Sequence, residues 1–233
     1  MEDRELRERL ALACRVLCHE GQDHFYFGHL SARATADRGV WVKPAGLGLE
    51  EIQADDLALM DYDGRQLDGR HRLHNEMPIH NEIYRRRPDV QAVVHTHPFY
   101  AAALSASGAR FDMVSQDSLP FAEGLGQYPS AELVMTVEQG QAVADALGAR
   151  RAVLMKNHGI AVAADSIEQA AVWAASLERS CRLQLAATQL GPLDPIAADE
   201  VTRMYERFER GYAGRNEAIW RYLVRKLHGA GRG

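Results

Sequence analysis

The chain has 233 residues, 46 % hydrophobic and 25 % charged, a balance that fits a folded domain of ordinary size and excludes wholesale disorder. With 27 Lys+Arg against 32 Asp+Glu the net charge is −5, so no general binder of nucleic-acid backbones is expected. No run of about 18 apolar residues suggests a membrane helix, and the acidic opening Met1-Glu2-Asp3-Arg4-Glu5 is unlike a signal peptide.

Residues 2–19 read as a helix with Leu6, Leu10, Ala13 and Leu17 on one face and Gly21 as its stop. Cys14 and Cys18, four apart on that helix, read as reduced, buried thiols; with Cys181 the count is odd. A cytoplasmic protein is the expectation. Short alternating runs follow at 30–33, 40–42 and 57–60, with Asp63-Gly64 as a hairpin turn. A helix is expected over 76–87, ending in Arg85-Arg86-Arg87 where cations suit the helix dipole, and Pro88 stops it. Residues 90–97 read as a buried strand and 100–105 as a short helix, and two extended runs surround Val114 and Phe121. Ser130 is the expected cap of a helix ending at Leu147 and Gly148. A hairpin over 152–162 centres on Asn157-His158-Gly159, Ser166 starts a long helix to Leu190, and a last helix covers 198–227. With no repeat and no linker, residues 1–233 read as one domain, an α/β sandwich with a mostly antiparallel sheet.

Ten histidines are the unusual part of the composition. In Val93-Val94-His95-Thr96-His97-Pro98 the two imidazoles sit at i and i+2, so a strand points both to one face, and Pro98 places them at its end. A metal asks for that geometry, although a lone His-x-His pair has many bland occurrences. His158, at a hairpin tip, offers a third imidazole; a solvated turn residue is the plain alternative. Three histidines with one open position are the catalytic arrangement of zinc. Glu76 stands in the first turn of a helix, where a capping role is the simple reading, but with His80 at i+4 it also suits a base or a ligand.

Five motifs stand in order: Gly28-His29-Leu30-Ser31-Ala32-Arg33, Lys43-Pro44-Ala45-Gly46, Glu76-Met77-Pro78-Ile79-His80, His95-Thr96-His97-Pro98 and Asn157-His158-Gly159. Together they resemble the class II aldolase/adducin family over about residues 6–187. The resemblance implies a three-layer sandwich, α/β, with a central, mostly antiparallel sheet between helices. It implies His95, His97 and His158 as ligands of a divalent metal, usually zinc, with manganese, iron or cobalt as alternatives, and Glu76 as the acid/base. It also implies a homotetramer with sites between neighbouring subunits, and a small-molecule substrate.

The sequence departs from the sugar-phosphate members of that family. Their phosphate is held by Gly-Asn, by Thr-Gly or Ser-Gly, and by Ser-Ser, whereas here those positions read Gly28-His29, Ala45-Gly46 and His74-Asn75. A phosphate dianion that loses its donors has unpaired oxygens, so a non-phosphorylated substrate is expected. Phe121 also stands where the aldolases place a functional tyrosine. The expected substrate contacts are Gly28, His29, Ser31, Arg33, Ala45, Gly46, His74 and Asn75. Lys43 is a further possible anchor for a carboxylate or phenolic oxygen, though surface charge explains Arg33 and Lys43 equally well. Tyr205, Tyr212 and Tyr222 are C-terminal candidates that packing also explains. The function expected is a metal-dependent carbon–carbon lyase on a non-phosphorylated hydroxy/oxo or aromatic carboxylate, working through a metal-stabilised enolate, with decarboxylation preferred over retro-aldol cleavage. A sugar-phosphate aldolase, epimerase or dehydratase, and a non-catalytic adducin-like scaffold, are the alternatives.

Overall fold

The computed structural model describes residues 3–229, the side chains at 212 and 213 excepted. Eight strands form one sheet: β1 (His29–Arg33), β2 (Val40–Val42), β3 (Ala58–Met60), β4 (Gln66–Asp68), β5 (Ala92–Thr96), β6 (Gly126–Tyr128), β7 (Ala152–Met155) and β8 (Gly159–Ala164). Their order is β4-β3-β2-β1-β5-β8-β7-β6, and each neighbouring pair is antiparallel except β6 with β7. This is the fold class expected.

Successive strand residues point to opposite faces, so the apolar runs feed two layers. Val94 of β5 joins Leu10 of α1 (Asp3–Leu17), Leu104 of α3 (Phe99–Ser107) and Leu177 of α5 (Ile167–Leu190). Val93 joins Ile79 and Ile83 of α2 (Met77–Arg86) and Val143 and Leu147 of α4 (Val137–Leu147) on the other face. Outside α5 lies α6 (Ala198–Gly229), whose Leu223 packs on Val16 and Val172. Asp63-Gly64 makes the expected turn between β3 and β4, with the Gly64 N–H donating to the Asp61 carbonyl.

Three local expectations need correction, and one strand, β6, was not expected. Ser130 caps no helix: α4 starts at Val137, where the Thr136 hydroxyl accepts the Gln139 N–H and the Gln139 side chain answers on the Thr136 N–H. Phe121 is not extended but ends a 3₁₀ turn (Gln116–Phe121), and it is buried against Phe111 in the core. The parallel edge strand β6 has only three residues, too few for an alternation to show. Cys18 is half-buried, in a π-helical turn (Cys18–Gln22) that breaks at Gly21 with φ +76°; Cys14 and Cys181 are buried free thiols.

Candidate metal and active site

The end of β5 and the β7–β8 turn meet because of one glycine. A Cβ on Gly159 would stand 2.3 Å from the Thr96 carbonyl oxygen and 2.8 Å from the His97 ring, so only glycine lets the turn close against the strand end. Asn157, at φ +53°, completes the turn. The contact carries His158 to within 4.7 Å of the His97 ring and 5.0 Å of the His95 ring, centroid to centroid. His97 lies one residue past β5, yet its Nε2 still comes 3.0 Å from the His95 Nε2.

Glu76 is the N-cap residue of α2, and its side chain makes no capping hydrogen bond. Its backbone (φ −89°, ψ 23°) is not helical, so the carboxylate leaves the face that carries His80. It turns to the imidazoles, 3.9 Å from the His95 Nε2 and 3.7 Å from the His158 Nε2. The Val134 backbone N–H donates to its Oε1 at 3.0 Å. Burial would raise the Glu76 pKa, but nearby His158 and the Val134 N–H hold it below the ordinary carboxylate value.

One potential ligand atom from each of Glu76, His95, His97 and His158 lies within 4.8 Å of the other three. Burial, reinforced by the neighbouring imidazoles, pushes His95 well below its usual pKa and His97 down to about 4, so both are neutral lone-pair donors at pH 7. The His95 Nδ1 faces the Ile160 carbonyl at 2.9 Å; a carbonyl only accepts, so the hydrogen is on Nδ1 and Nε2 is bare. That is the partner arrangement of a metal-binding imidazole. Both ring nitrogens of His158 are buried without a hydrogen-bond partner, a state that costs about 1–3 kcal/mol per group and that coordination of Nε2 relieves. The residues present fit a divalent cation.

Beside this cluster, the His29 ring lies 4.9 Å from that of His95 and 4.6 Å from that of His74. The His74 Nε2 is buried and without a partner, while the ring's hydrogen bond goes to the Pro44 backbone carbonyl. Lys43 is completely buried, not a surface charge; its Nζ donates to the Tyr26 carbonyl at 2.8 Å, and burial pulls its pKa down to about 8. Gly28, at φ +82°, packs on the end of β5, and Gly46 turns at φ +86° next to the buried Ala45. Asn75 is exposed.

Two expected substrate contacts stand elsewhere. The Arg33 guanidinium donates to the Val90 and Tyr84 carbonyls and to the Tyr62 hydroxyl, and these bonds tie β1 to α2. Ser31 is fully buried between His80 and Tyr84, one residue pair behind His29 on the same face of β1. Tyr205 stacks near Phe208 and under Arg151, Tyr222 is exposed, and the side chain of Tyr212 lies outside the described residues.

Sequence reasoning did not find His24, whose Nδ1 is 3.1 Å from the His97 Nδ1, nor Phe27, whose ring lies 6.2 Å from that of His97. The stretch His24-Phe25-Tyr26-Phe27 has no period; its aromatic run was the only available signal. Val134 acts through its backbone, which no side-chain motif reports.

A sequence profile described as the class II aldolase and adducin N-terminal domain matches residues 8–185. The chain is 34 % identical to a 3,4-dihydroxyphthalate decarboxylase of Arthrobacter keyseri, over 96 % of this chain and 94 % of that protein. It is 32 % identical to the decarboxylase NovR of Streptomyces niveus, over 87 % and 76 % respectively. Among solved structures, L-fuculose 1-phosphate aldolase from Glaciozyma antarctica PI12 superposes with a TM-score of 0.86 at 28 % identity, covering 97 % of this chain and 91 % of that one.

Proposed function

The chain belongs to the class II aldolase and adducin family, and from that premise we propose that it is a metal-dependent lyase releasing carbon dioxide from a hydroxy-substituted aromatic carboxylate. The observation that carries the proposal is the convergence of three imidazoles and one carboxylate within 4.8 Å, in a chain that reads Gly28-His29, Ala45-Gly46 and His74-Asn75 where a phosphate would need hydroxyl donors. The likeness to two decarboxylases supports carbon dioxide as the leaving group.

His95, His97 and His158 would hold the ion, zinc by preference, with manganese, iron or cobalt as alternatives. A divalent cation there supplies Lewis acidity toward substrate oxygens. Glu76 is the proton carrier: its carboxylate takes the proton of a substrate hydroxyl. When the bond between ring carbon and carboxyl carbon breaks, the electron pair stays on the ring carbon and Glu76 returns the proton to it. Solvent then restores the hydroxyl proton, so each turnover consumes one proton. Lys43 and His74 anchor the ligand, the buried ammonium attracting an anionic oxygen and the unpartnered His74 Nε2 accepting from a hydroxyl. Gly28, His29, Ala45, Gly46 and Asn75 line the ligand's path, whereas Ser31 and Arg33 support it from behind. The active form is a cytoplasmic homotetramer of single-domain chains with sites between subunits.

The test is to purify the protein, quantify bound metal, determine native mass, and assay carbon dioxide release from 3,4-dihydroxyphthalate and related hydroxybenzoates. Release that is lost on chelation and restored by zinc is the expected result. Full activity in chelator, or cleavage of L-fuculose 1-phosphate in place of decarboxylation, overturns it.

A further inference from the structure

Behind His29 runs a chain of buried hydrogen bonds that the proposed chemistry does not use. The His29 Nδ1 lies 2.6 Å from the His80 Nε2, the His80 Nδ1 lies 2.6 Å from the Ser31 Oγ, and that oxygen lies 2.9 Å from the Tyr84 hydroxyl. All four side chains are 2 % exposed or less. Such a chain can run in either direction on distances alone, but its far end decides the direction. Among the described hydrogen bonds, the Ser31 Oγ is the one partner of the Tyr84 phenol oxygen. The Arg33 guanidinium, 4.8 Å from the centre of the same ring, only donates. The Tyr84 hydrogen therefore has one acceptor in reach, the Ser31 Oγ. If Ser31 donated to Tyr84 instead, a buried phenol hydrogen would be left unpaired, at about 1–3 kcal/mol.

From there each step follows. Ser31 accepts from Tyr84 and donates to the His80 Nδ1. A neutral His80 then carries its hydrogen on Nε2 and donates it to the His29 Nδ1. The His29 hydrogen is on Nε2, the nitrogen that none of these bonds engages, in a ring whose centre lies 4.6 Å from that of His74 and 4.9 Å from that of His95.

We propose that His80, Ser31 and Tyr84 are positioning residues that lock His29 in the tautomer with Nε2 protonated, making it a hydrogen-bond donor to an anionic oxygen of the substrate. A histidine needs its tautomer fixed before it can serve as a donor. The donor role rests on the function proposed above, whereas the tautomer does not.

Nitrogen-15 NMR of histidine-labelled protein, with and without zinc, reads the tautomer without any substrate. The wild type is expected to show His29 with a protonated Nε2 and a bare Nδ1. Ser31→Ala removes the donor to His80 and is expected to give a mixed His29 tautomer, while Ser31→Thr, which keeps a hydroxyl, restores it. In kinetics Ser31→Ala is expected to lower kcat/KM about 10- to 100-fold, mainly through KM, with bound metal unchanged, since outer partners of a site residue have effects of that size. His80→Gln, whose amide can still donate to His29, is expected to retain more activity than His80→Leu. A wild-type His29 protonated on Nδ1 overturns the relay. The expected tautomer combined with an unchanged kcat/KM in Ser31→Ala overturns the donor role. If the protein decarboxylates nothing, the tautomer result still stands or falls alone.

Discussion

Because Glu76 occupies the N-cap of α2, its carboxylate faces the imidazoles while His80, four residues on, faces the sheet. A residue that carries protons without holding the ion predicts a clean separation. Glu76→Gln is expected to lower kcat by about 10²- to 10⁴-fold while metal content, measured by elemental analysis, stays unchanged. Loss of the metal in that variant makes Glu76 a ligand instead. Lys43 presents the opposite case, a charge whose burial costs stability and whose proposed role is to bind the substrate. Lys43→Met is expected to raise Tm by a few degrees and raise KM at least tenfold, read by calorimetry and by the decarboxylation assay. His80 sets a pH limit: burial, aided by His74, pulls its pKa down to about 3, against about 6.5 in an unfolded chain. The unfolded state then binds more protons below pH 6.5, so stability falls as pH drops through that window toward 3. Urea melts of metal-free protein are expected to lose, for each buried histidine kept neutral, about 0.7 kcal/mol from pH 7 to 6 and about 1.2 kcal/mol from pH 6 to 5, and less in His80→Gln.

At the scale of elements, the sequence was legible wherever period and punctuation agreed. β2 matches its expected span, 40–42, and α5 starts after Ser166 as its cap demanded. The region 108–136 was not legible, because its backbone is organised by distant partners. The Asp112 N–H donates to Gln184 and the Val134 N–H to Glu76, bonds that no local pattern encodes. Ser130 carried the right chemistry for a cap but stands six residues too early; Thr136 has both the hydroxyl and the reciprocal Gln139. Thr136→Ala is expected to cost about 1 kcal/mol in a denaturant titration, and Ser130→Ala a few tenths or less.

At the scale of the whole molecule, the histidines of the proposed metal site were readable because they sit on strand ends and turns, where short motifs survive as contiguous text. His29, His80, Ser31 and Tyr84 form their chain only when β1 lies under α2, and the sequence shows their presence but not their contact. Arg33 shows the converse: its motif suggested ligand binding or surface charge, whereas its bonds hold β1 to α2.

His97 and His158 are about sixty positions apart, and between them lie α3, the stretch 108–136 with β6, α4 and β7. A cation shared by those two imidazoles is a removable clasp on that whole excursion of the chain, much as a disulfide would be. At a hundredfold excess over its Kd it adds about 2.7 kcal/mol to folding stability. Amide hydrogen exchange across 108–136 is therefore expected to slow when zinc is added and to quicken on chelation, while exchange in β2 and β3, outside the clasp, changes least. Equal slowing in both regions would mean that the ion steadies the fold as a whole and does not fasten this one excursion.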